Sequence, residues 1–276
     1  MILLKRLPFP ARKPVLHNLA PRLLVRIAGF LILIVAWQLY VILAGVPAYI
    51  LPSPLAVANS IVTDWPILAP ALWVTTKTTL FGLILAVIGG VGAAVVLVQA
   101  RWVETLFSPL IVTLQVTPIV AIAPLILIYA PSPQIAQLIC AFIVTFFPVL
   151  LNTLQGLKNA DRDFTDLLRT YGASRWQTLR YLGVPSALPH FFAGLKIGGG
   201  LALIGAVVAE FAAGSAGATS GLAFRLLEAQ YRLNTPRLFA ALVLLALLGY
   251  LMFEITSRLS RLALRRWHPS EAEREG

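Results

Sequence analysis

The chain has 276 residues, of which 59% are hydrophobic and only 12% are charged. A soluble fold cannot bury that much apolar surface, so the composition excludes an ordinary globular domain and indicates a membrane protein. The formal net charge of +11 does not indicate a nucleic-acid-binding protein, because the basic residues are dispersed at the ends of apolar segments.

The first long apolar run follows a basic leader, residues 1–26. A cleaved signal peptide would have a shorter apolar region and an A-x-A-like cleavage site, so we expect a retained first span. Between Thr105 and Leu157 there is no charged residue, which is enough for two crossings of roughly 20 residues each. The sequence predicts an all-α polytopic protein with about six transmembrane helices in a membrane domain, residues 27–257. The predicted spans are residues 27–45, 72–98, 106–129, 134–154, 191–212 and 238–257.

Lys and Arg are distributed unevenly between the connections. The leader, the connection 158–189 and the tail 258–276 are rich in them. The connections on the other side hold only Arg225, Arg232 and Arg237. Since short cytoplasmic loops carry the excess of basic residues, we expect both termini to be cytoplasmic.

Small residues crowd the second and fifth predicted spans. Gly82 and Gly90 lie in the second span, and Gly194 with Gly198 gives a G-x-x-x-G pattern in the fifth. In lipid, small residues let helix backbones approach closely, so these positions predict packing faces.

Polar and proline residues inside the spans are candidates for lining a pathway across the membrane or for forming its gate. The third span contains Gln115, Thr117 and Pro118, and proline interrupts the hydrogen-bond ladder of a helix. A broken helix near mid-membrane often lines a pathway, although a kink used only for packing is the alternative. Lys196 and Glu210 in the fifth span are costly charges, for which solvation at the membrane interface is the alternative.

The connection after the fourth span carries the most informative pattern. Apolar residues recur at helical spacing from Phe164 to Tyr171, and Gly172 can end that helix in the left-handed conformation. Ser174 and Gln177 form a capping box that begins a second helix. Such an amphipathic, basic elbow either lies on anionic lipid or docks into another protein.

This segment resembles the EAA loop of bacterial ABC importer permeases, whose pattern is E-A-A-x3-G-x9-I-x-L-P. The matching positions are Asp166, Leu167, Leu168, Gly172, Leu182, Val184 and Pro185. An Asp replaces the usual Glu, and two leucines replace the alanines. Further segments similar to this family are Leu51–Val57, Pro118–Leu125, Phe146–Asn152, Gly172–Gln177, Ala187–Pro189 and Ile204–Phe211. The chain is most similar to the subfamily of nitrate, sulfonate, taurine and pyrimidine-precursor importers.

The resemblance implies a type I ABC importer permease fold in the bacterial cytoplasmic (inner) membrane, surrounded by lipid. It further implies a pore made of two copies of this chain, two separate ATP-binding cassette subunits, and an extracytoplasmic solute-binding protein. The residues implied to couple to the ATPase are Asp166, Leu167, Leu168, Gly172, Ala173, Ser174, Leu182, Val184 and Pro185. The solute implied is a small organic anion or a pyrimidine or vitamin precursor.

The sequence contains no Walker A motif and none of the common hydrolase or metalloprotease motifs. We therefore expect neither an enzyme nor a cofactor or metal site in this chain, with ATP and Mg²⁺ bound by the partner subunit. Cys140 is the only cysteine, so no intrachain disulfide is possible. The alternative function is an ATP-independent secondary transporter or channel, in which the long cytoplasmic elbow would have no evident purpose.

Overall fold

The computed structural model describes residues 19–214 and 220–264, and in these ranges the chain forms helices and no strands. Most of the basic leader, Ser215 to Thr219, and the tail after Leu264 lie outside the described residues. The helices are α1 (Leu19–Leu43), α2 (Pro54–Thr63), α3 (Trp65–Gln99), α4 (Arg101–Val116), α5 (Ile119–Tyr129), α6 (Pro133–Lys158), α7 (Arg162–Thr170), α8 (Arg175–Thr178), α9 (Val184–Ala213), α10 (Leu222–Tyr231) and α11 (Thr235–Leu264). The all-α prediction is confirmed.

Four helical segments of the described chain are long and apolar enough to cross a membrane. They are Trp65–Gln99, Pro133–Lys158, Arg175–Ala213 and Thr235–Leu264. They contain the second, fourth, fifth and sixth predicted spans. The first predicted span falls in α1, whose apolar part Ala28–Leu43 is shorter than these four.

The third predicted span, residues 106–129, is not one continuous helix. It is divided into α4 and α5, which are bent by 99° at Thr117 and Pro118. Thr117 is extended, with φ −70° and ψ 123°, because the ring of Pro118 disfavours helical geometry in the preceding residue. The hydroxyl of Thr117 donates to the carbonyl oxygen of Thr113 in the last turn of α4 at 2.7 Å. The predicted helix break is therefore present, and together the two helices amount to at most one further span.

The centre of the bundle is α6, which packs extensively against both α9 and α3. At Gly205, a Cβ atom would lie 2.7 Å from the carbonyl oxygen of Cys140 and 2.8 Å from the Cα of Ala141. At Gly82, a Cβ would lie 2.6 Å from the Cβ of Ala141. Backbones this close leave no room for a side chain, and the predicted small-residue packing faces of both spans are confirmed.

A second packed region surrounds α11. Leu68, Leu222, Ala241, Leu245 and Met252 are buried together there, which joins α3 and α10 to the last helix. By contrast, α1 and α4 leave most of their large apolar side chains exposed. In a bilayer such exposure is expected on helices that face lipid or another subunit.

Candidate coupling elbow and pathway residues

The first half of the elbow, which we define as residues 159–183, is the short helix α7. It begins at Asp161, whose carboxylate accepts from the backbone amide of Asp163 at 2.9 Å. It ends at Gly172, which has a φ of 73°. The amide of Ala173 then donates to the carbonyl oxygen of Leu168 at 2.9 Å, closing the last turn. Glycine reaches this left-handed conformation without the clash that a Cβ would cause, so the predicted helix end is confirmed.

The second half of the elbow begins with a reciprocal cap. The backbone amide of Gln177 donates to the hydroxyl of Ser174 at 3.2 Å, and the amide of Ser174 donates to the side-chain oxygen of Gln177 at 2.7 Å. This is the predicted capping box. The single turn of α8 continues through a π-helical turn, Leu179–Gly183, directly into α9. The elbow is therefore continuous with a membrane-spanning helix.

The elbow presents apolar side chains to the solvent. No residue of α7 is buried. The side chains of Phe164 and Leu167 are 57% and 50% exposed, and those of Tyr171 and Trp176 are 81% and 65% exposed. An unpaired apolar surface of this kind on a short amphipathic helix is typical of an interaction site.

The EAA-like positions fall into two groups. Asp166, Leu167, Leu168, Gly172, Ala173 and Ser174 lie on the exposed part of the elbow. Asp166 is exposed and pairs loosely with Arg169 at 3.8 Å. Leu182, Val184 and Pro185 lie instead at the junction with α9, where Pro185 occupies the first turn of the helix. The first group thus lies on the short helix and turn of the elbow, and the second group lies where the elbow joins α9.

The elbow is fixed to the bundle at its base. Lys158, the last residue of α6, forms an ion pair with Glu104 in the first turn of α4. Next to it, the side-chain amide of Asn159 lies 3.3 Å from Nε2 of His190 in α9. A Cβ at Gly156 would lie 2.8 Å from the Cβ of His190, so α6 and α9 are in close contact here. Sequence reasoning gave His190 no role, because its partner comes from another helix.

The sequence-predicted pathway residues do not form one site within the described chain. Gln115, Thr117 and Pro118 lie at the break between α4 and α5, where Gln115 and Pro118 are exposed and Thr117 is half-buried. Lys196 is half-buried in the first half of α9, and Glu210 lies one turn before the end of the same helix. The break and the two charged residues therefore occupy separate regions of the protomer.

Glu210 is enclosed rather than open to a channel in the protomer. Its side chain is only 1% exposed. One carboxylate oxygen accepts from the hydroxyl of Thr75 at 2.7 Å, and the other accepts from the backbone amide of Ala223 at 2.9 Å. Sequence reasoning identified Glu210 but missed Thr75, because the two residues are far apart in the chain.

A group of charged residues lies at the end of the bundle opposite the elbow. Arg237 donates to the carboxylate of Asp64 at 2.6 Å, and Ser60 donates to the other oxygen of that carboxylate at 2.7 Å. The hydrogen bond from Arg237 holds the pKa of Asp64 below its ordinary value, although partial burial opposes this effect. The pair ties the corner between α2 and α3 to the start of α11, and no sequence pattern pointed to it.

In residues 19–214 and 220–264, no three His, Cys, Asp or Glu side chains are grouped as metal ligands would be. A family model described as "binding-protein-dependent transport system inner membrane component" matches residues 79–265. The chain belongs to this family. It is a permease, the membrane subunit of an ABC transporter.

The sequences of curated relatives align with most of the permease. The riboflavin transport system permease protein of Chloroflexus aurantiacus is 37% identical over 87% of this chain and 88% of its own length. The formylaminopyrimidine transport permease protein of Halalkalibacterium halodurans is 32% identical over 85% of this chain and 92% of its own. The taurine transport system permease protein of Escherichia coli is 26% identical over 91% and 92% respectively.

Solved structures support the fold of the permease. A chain of the MetNI methionine ABC transporter in an inward-facing conformation matches with a TM-score of 0.63 and 16% identity, covering 72% of this chain and 97% of that one. A chain of an amino acid ABC transporter matches with a TM-score of 0.60 and 20% identity, covering 75% and 97%. The permease is thus a multi-pass inner-membrane protein with a transport role.

Proposed function

We propose that the permease forms the solute pathway of an ATP-driven importer and couples it to separate ATP-binding subunits through the elbow. The observation that carries this proposal is the apolar surface of the elbow. Phe164, Leu167 and Tyr171 are half or more exposed, although they lie outside the long apolar helices that lipid would cover. Docking into a cleft of another protein gives these side chains a partner and explains their exposure.

The base of the elbow supports a mechanical role. The ion pair between Lys158 and Glu104 and the contact between Asn159 and His190 connect the elbow to α4, α6 and α9. A displacement of the elbow is therefore transmitted to three helices rather than lost in a flexible loop. ATP and Mg²⁺ bind to the partner in this scheme, and closure of the ATPase pair supplies the displacement.

The proposed orientation places the elbow and both termini in the cytoplasm. The elbow contains Arg162, Arg169, Arg175 and Arg180, and the α10 region at the other end of α9 has fewer basic residues. The excess of Arg on the elbow side favours that side as cytoplasmic, because short cytoplasmic loops are enriched in Lys and Arg.

We place the solute pathway along the broken pair α4 and α5, between two copies of the permease. Gln115 and Pro118 are exposed at the break, and a backbone interrupted at membrane depth persists only against protein or water. Lys196, half-buried in α9, is the proposed charged residue of the pathway. A second copy covering the exposed apolar side chains of α4 completes the enclosure.

For the solute we propose a small organic anion or a pyrimidine or vitamin precursor. The relatives named for riboflavin and formylaminopyrimidine, both heteroaromatic, have higher identity to this chain than the taurine relative. Thermal unfolding of the cognate binding protein with riboflavin, formylaminopyrimidine, taurine and nitrate tests this class, because a ligand that binds only the native state raises the Tm. A rise with nitrate alone, or with none of the four compounds, would contradict the proposed solute class.

A matched pair of substitutions tests the coupling role. Tyr171 ends α7 and is 81% exposed, and Tyr231 ends α10 and is 84% exposed at the opposite end of α9. Neither side chain supports the fold, so Tyr171→Ala and Tyr231→Ala leave the amount of folded permease unchanged. Since aromatic anchors at interfaces are worth about 2 kcal/mol or more, we expect Tyr171→Ala to weaken co-purification of the ATP-binding subunit by at least about tenfold.

Tyr231→Ala is the control and retains the ATP-binding subunit. Equal retention by both variants, or loss of the subunit only from Tyr231→Ala, would contradict the coupling role of the elbow. Detection by quantitative immunoblot of the purified complex, normalised to the permease, distinguishes lost docking from lost expression.

A further inference from the structure

The amino-terminal end of α10 is capped by side chains from two other helices. The first amides of a helix have no partner within it. The residue that precedes α10 is Gly221, which has no side chain to supply one. Instead, the amide of Leu222 donates to the hydroxyl of Thr75 at 2.8 Å, and the amide of Ala223 donates to the carboxylate of Glu210 at 2.9 Å. Helices α3 and α9 therefore provide the cap.

The two capping side chains are themselves joined. The hydroxyl of Thr75 donates to the second carboxylate oxygen of Glu210 at 2.7 Å. Thr75 is fully buried and Glu210 is 1% exposed, so water does not compete for these bonds. The carboxylate also lies at the positive end of the α10 dipole, which stabilises a negative charge there. We call Thr75 and Glu210, with the two amides that they bind, the α10 seat.

The neighbouring glycines allow the seat to close. A Cβ atom at Gly221 would overlap the carboxylate of Glu210, so no larger residue fits at this position while the seat is formed. Gly214 ends α9 with a φ of 51°, four residues after Glu210, which reverses the chain toward α10. The requirements for glycine at positions 214 and 221 come from backbone geometry rather than from the hydrogen bonds. Both agree with a formed seat.

We propose that Glu210 is a positioning residue, which together with Thr75 holds the amino-terminal turn of α10 in its place against α3 and α9. The elbow joins the start of α9, and α10 follows its end, so the seat lies at the opposite end of the bundle from the elbow. That this end is the outer end of the pathway rests on the proposed function. Glu210 accordingly controls the outer closure without touching the solute.

Two substitutions of Glu210 distinguish a seat that needs only hydrogen-bond partners from one that needs a negative charge. In Glu210→Gln, the amide oxygen accepts from Ala223 while the amide nitrogen donates to the hydroxyl of Thr75. That hydroxyl then donates to the carbonyl oxygen of Ala71, which lies 3.3 Å away. Every buried polar group keeps a partner in this variant, whereas Glu210→Ala leaves the Ala223 amide without one. Glu210→Gln is therefore expected to preserve the seat, and Glu210→Ala is expected to open it.

Accessibility of single cysteines measures the seat directly. Cys140 is the only cysteine, and its replacement by Ala gives a cysteine-free permease. Ala223 and Ala229 are both 0% exposed, one in the first turn of α10 and the other in the last. In this background, Ala223→Cys and Ala229→Cys are treated with a membrane-impermeant maleimide, in the full complex and in native membranes.

Adding Glu210→Ala should raise the labelling rate at position 223 about tenfold or more, the effect of losing a hydrogen bond to a charged group. Position 229 should change little, and Glu210→Gln should keep position 223 protected. Equal increases at 223 and 229 would mean that the whole helix is lost, which contradicts a local seat. Full protection of position 223 in the Ala variant would contradict the proposal as well.

ATP hydrolysis by the reconstituted complex distinguishes positioning from simple destabilisation. Loss of stability lowers the rates with and without the solute-binding protein in proportion. Loss of the seat in Glu210→Ala changes the ratio of the two rates, whereas Glu210→Gln keeps the wild-type ratio. An unchanged ratio in Glu210→Ala would overturn the proposal. Labelling of position 223 only from the cytoplasmic side would overturn the proposed orientation and leave the seat intact.

Discussion

Gly205 and Gly200 lie on the same helix, α9, and differ only in what surrounds them. A Cβ at Gly205 would meet the backbone of Cys140 and Ala141 at 2.7 to 2.8 Å, while a Cβ at Gly200 has nothing within 4 Å. Backbone atoms of a packed helix cannot move aside cheaply. The two glycines therefore form a matched pair for measuring how closely α6 and α9 must approach.

We expect Gly205→Ala to destabilise the permease by about 1–3 kcal/mol, the usual cost of overpacking a core. Gly200→Ala should be neutral or slightly stabilising, because Ala favours helix more than Gly does. The apparent Tm of each purified variant in detergent checks this. An equal Tm for the two variants would show that α6 and α9 do not pack backbone to backbone.

The ion pair between Asp64 and Arg237 predicts a dependence of stability on pH. The hydrogen bond from Arg237 lowers the pKa of Asp64, so its stabilising contribution is present at neutral pH. That contribution falls away as the pH drops from the ordinary value of about 4 through the lowered folded value. Asp64→Asn should cost about 1–3 kcal/mol at pH 7 and lose less stability than the wild type on acidification.

The control for this prediction is Asp166→Asn. Asp166 is exposed and pairs with Arg169 at only 3.8 Å, so its substitution should shift the Tm little at any pH. Unfolding between pH 7 and pH 3, followed by light scattering or intrinsic fluorescence, gives the comparison. Parallel pH curves for Asp64→Asn and the wild type would contradict the role assigned to the pair.

At the scale of elements, the elbow depends on one backbone conformation. Gly172 has a φ of 73°, and a Cβ there would meet nothing within 4 Å. Gly172→Ala therefore carries only the backbone cost of the left-handed conformation, about 1–2 kcal/mol. We expect roughly 5- to 30-fold faster amide hydrogen exchange at residues 168–174 in this variant.

Asn tolerates the left-handed conformation better than Ala, so Gly172→Asn should show a smaller increase in exchange. Mass spectrometry of the corresponding peptides measures both variants, and peptides from α6 are the internal reference. The same increase for Ala and Asn would mean that the turn is not limited by its φ angle.

Sequence patterns predicted the elements that depend on local chemistry. The capping box at Ser174, the helix end at Gly172 and the break at Pro118 all follow from neighbouring residues, and all three are present. The size of the bend between α4 and α5 was not predictable, because it is set by packing. The contact of Thr75 with Glu210 and that of Asp64 with Arg237 were also missed, since each joins residues more than a hundred positions apart.

At the scale of the whole molecule, a chain of the ABC permease family has its two specialised regions at opposite ends of α9. The elbow leaves aromatic side chains exposed at one end, and the α10 seat buries a carboxylate at the other. An exposed apolar surface is expected where a partner subunit binds and moves. A buried, hydrogen-bonded carboxylate is expected where a part of the pathway stays closed. We therefore propose that the ATPase binds at the elbow end.

Cross-linking tests this assignment most directly. In the cysteine-free background, Tyr171→Cys and Tyr231→Cys each place one thiol at an exposed position, at opposite ends of α9. Membranes that contain the full complex are treated with a short heterobifunctional reagent, whose maleimide reacts with the introduced thiol and whose photoreactive group reacts with any neighbouring side chain, and the products are identified by mass spectrometry. We predict a cross-link between position 171 and the ATP-binding subunit and none between that subunit and position 231. A cross-link from position 231 to the ATP-binding subunit, or a reaction of position 171 only with reagents added outside the cell, would contradict the account.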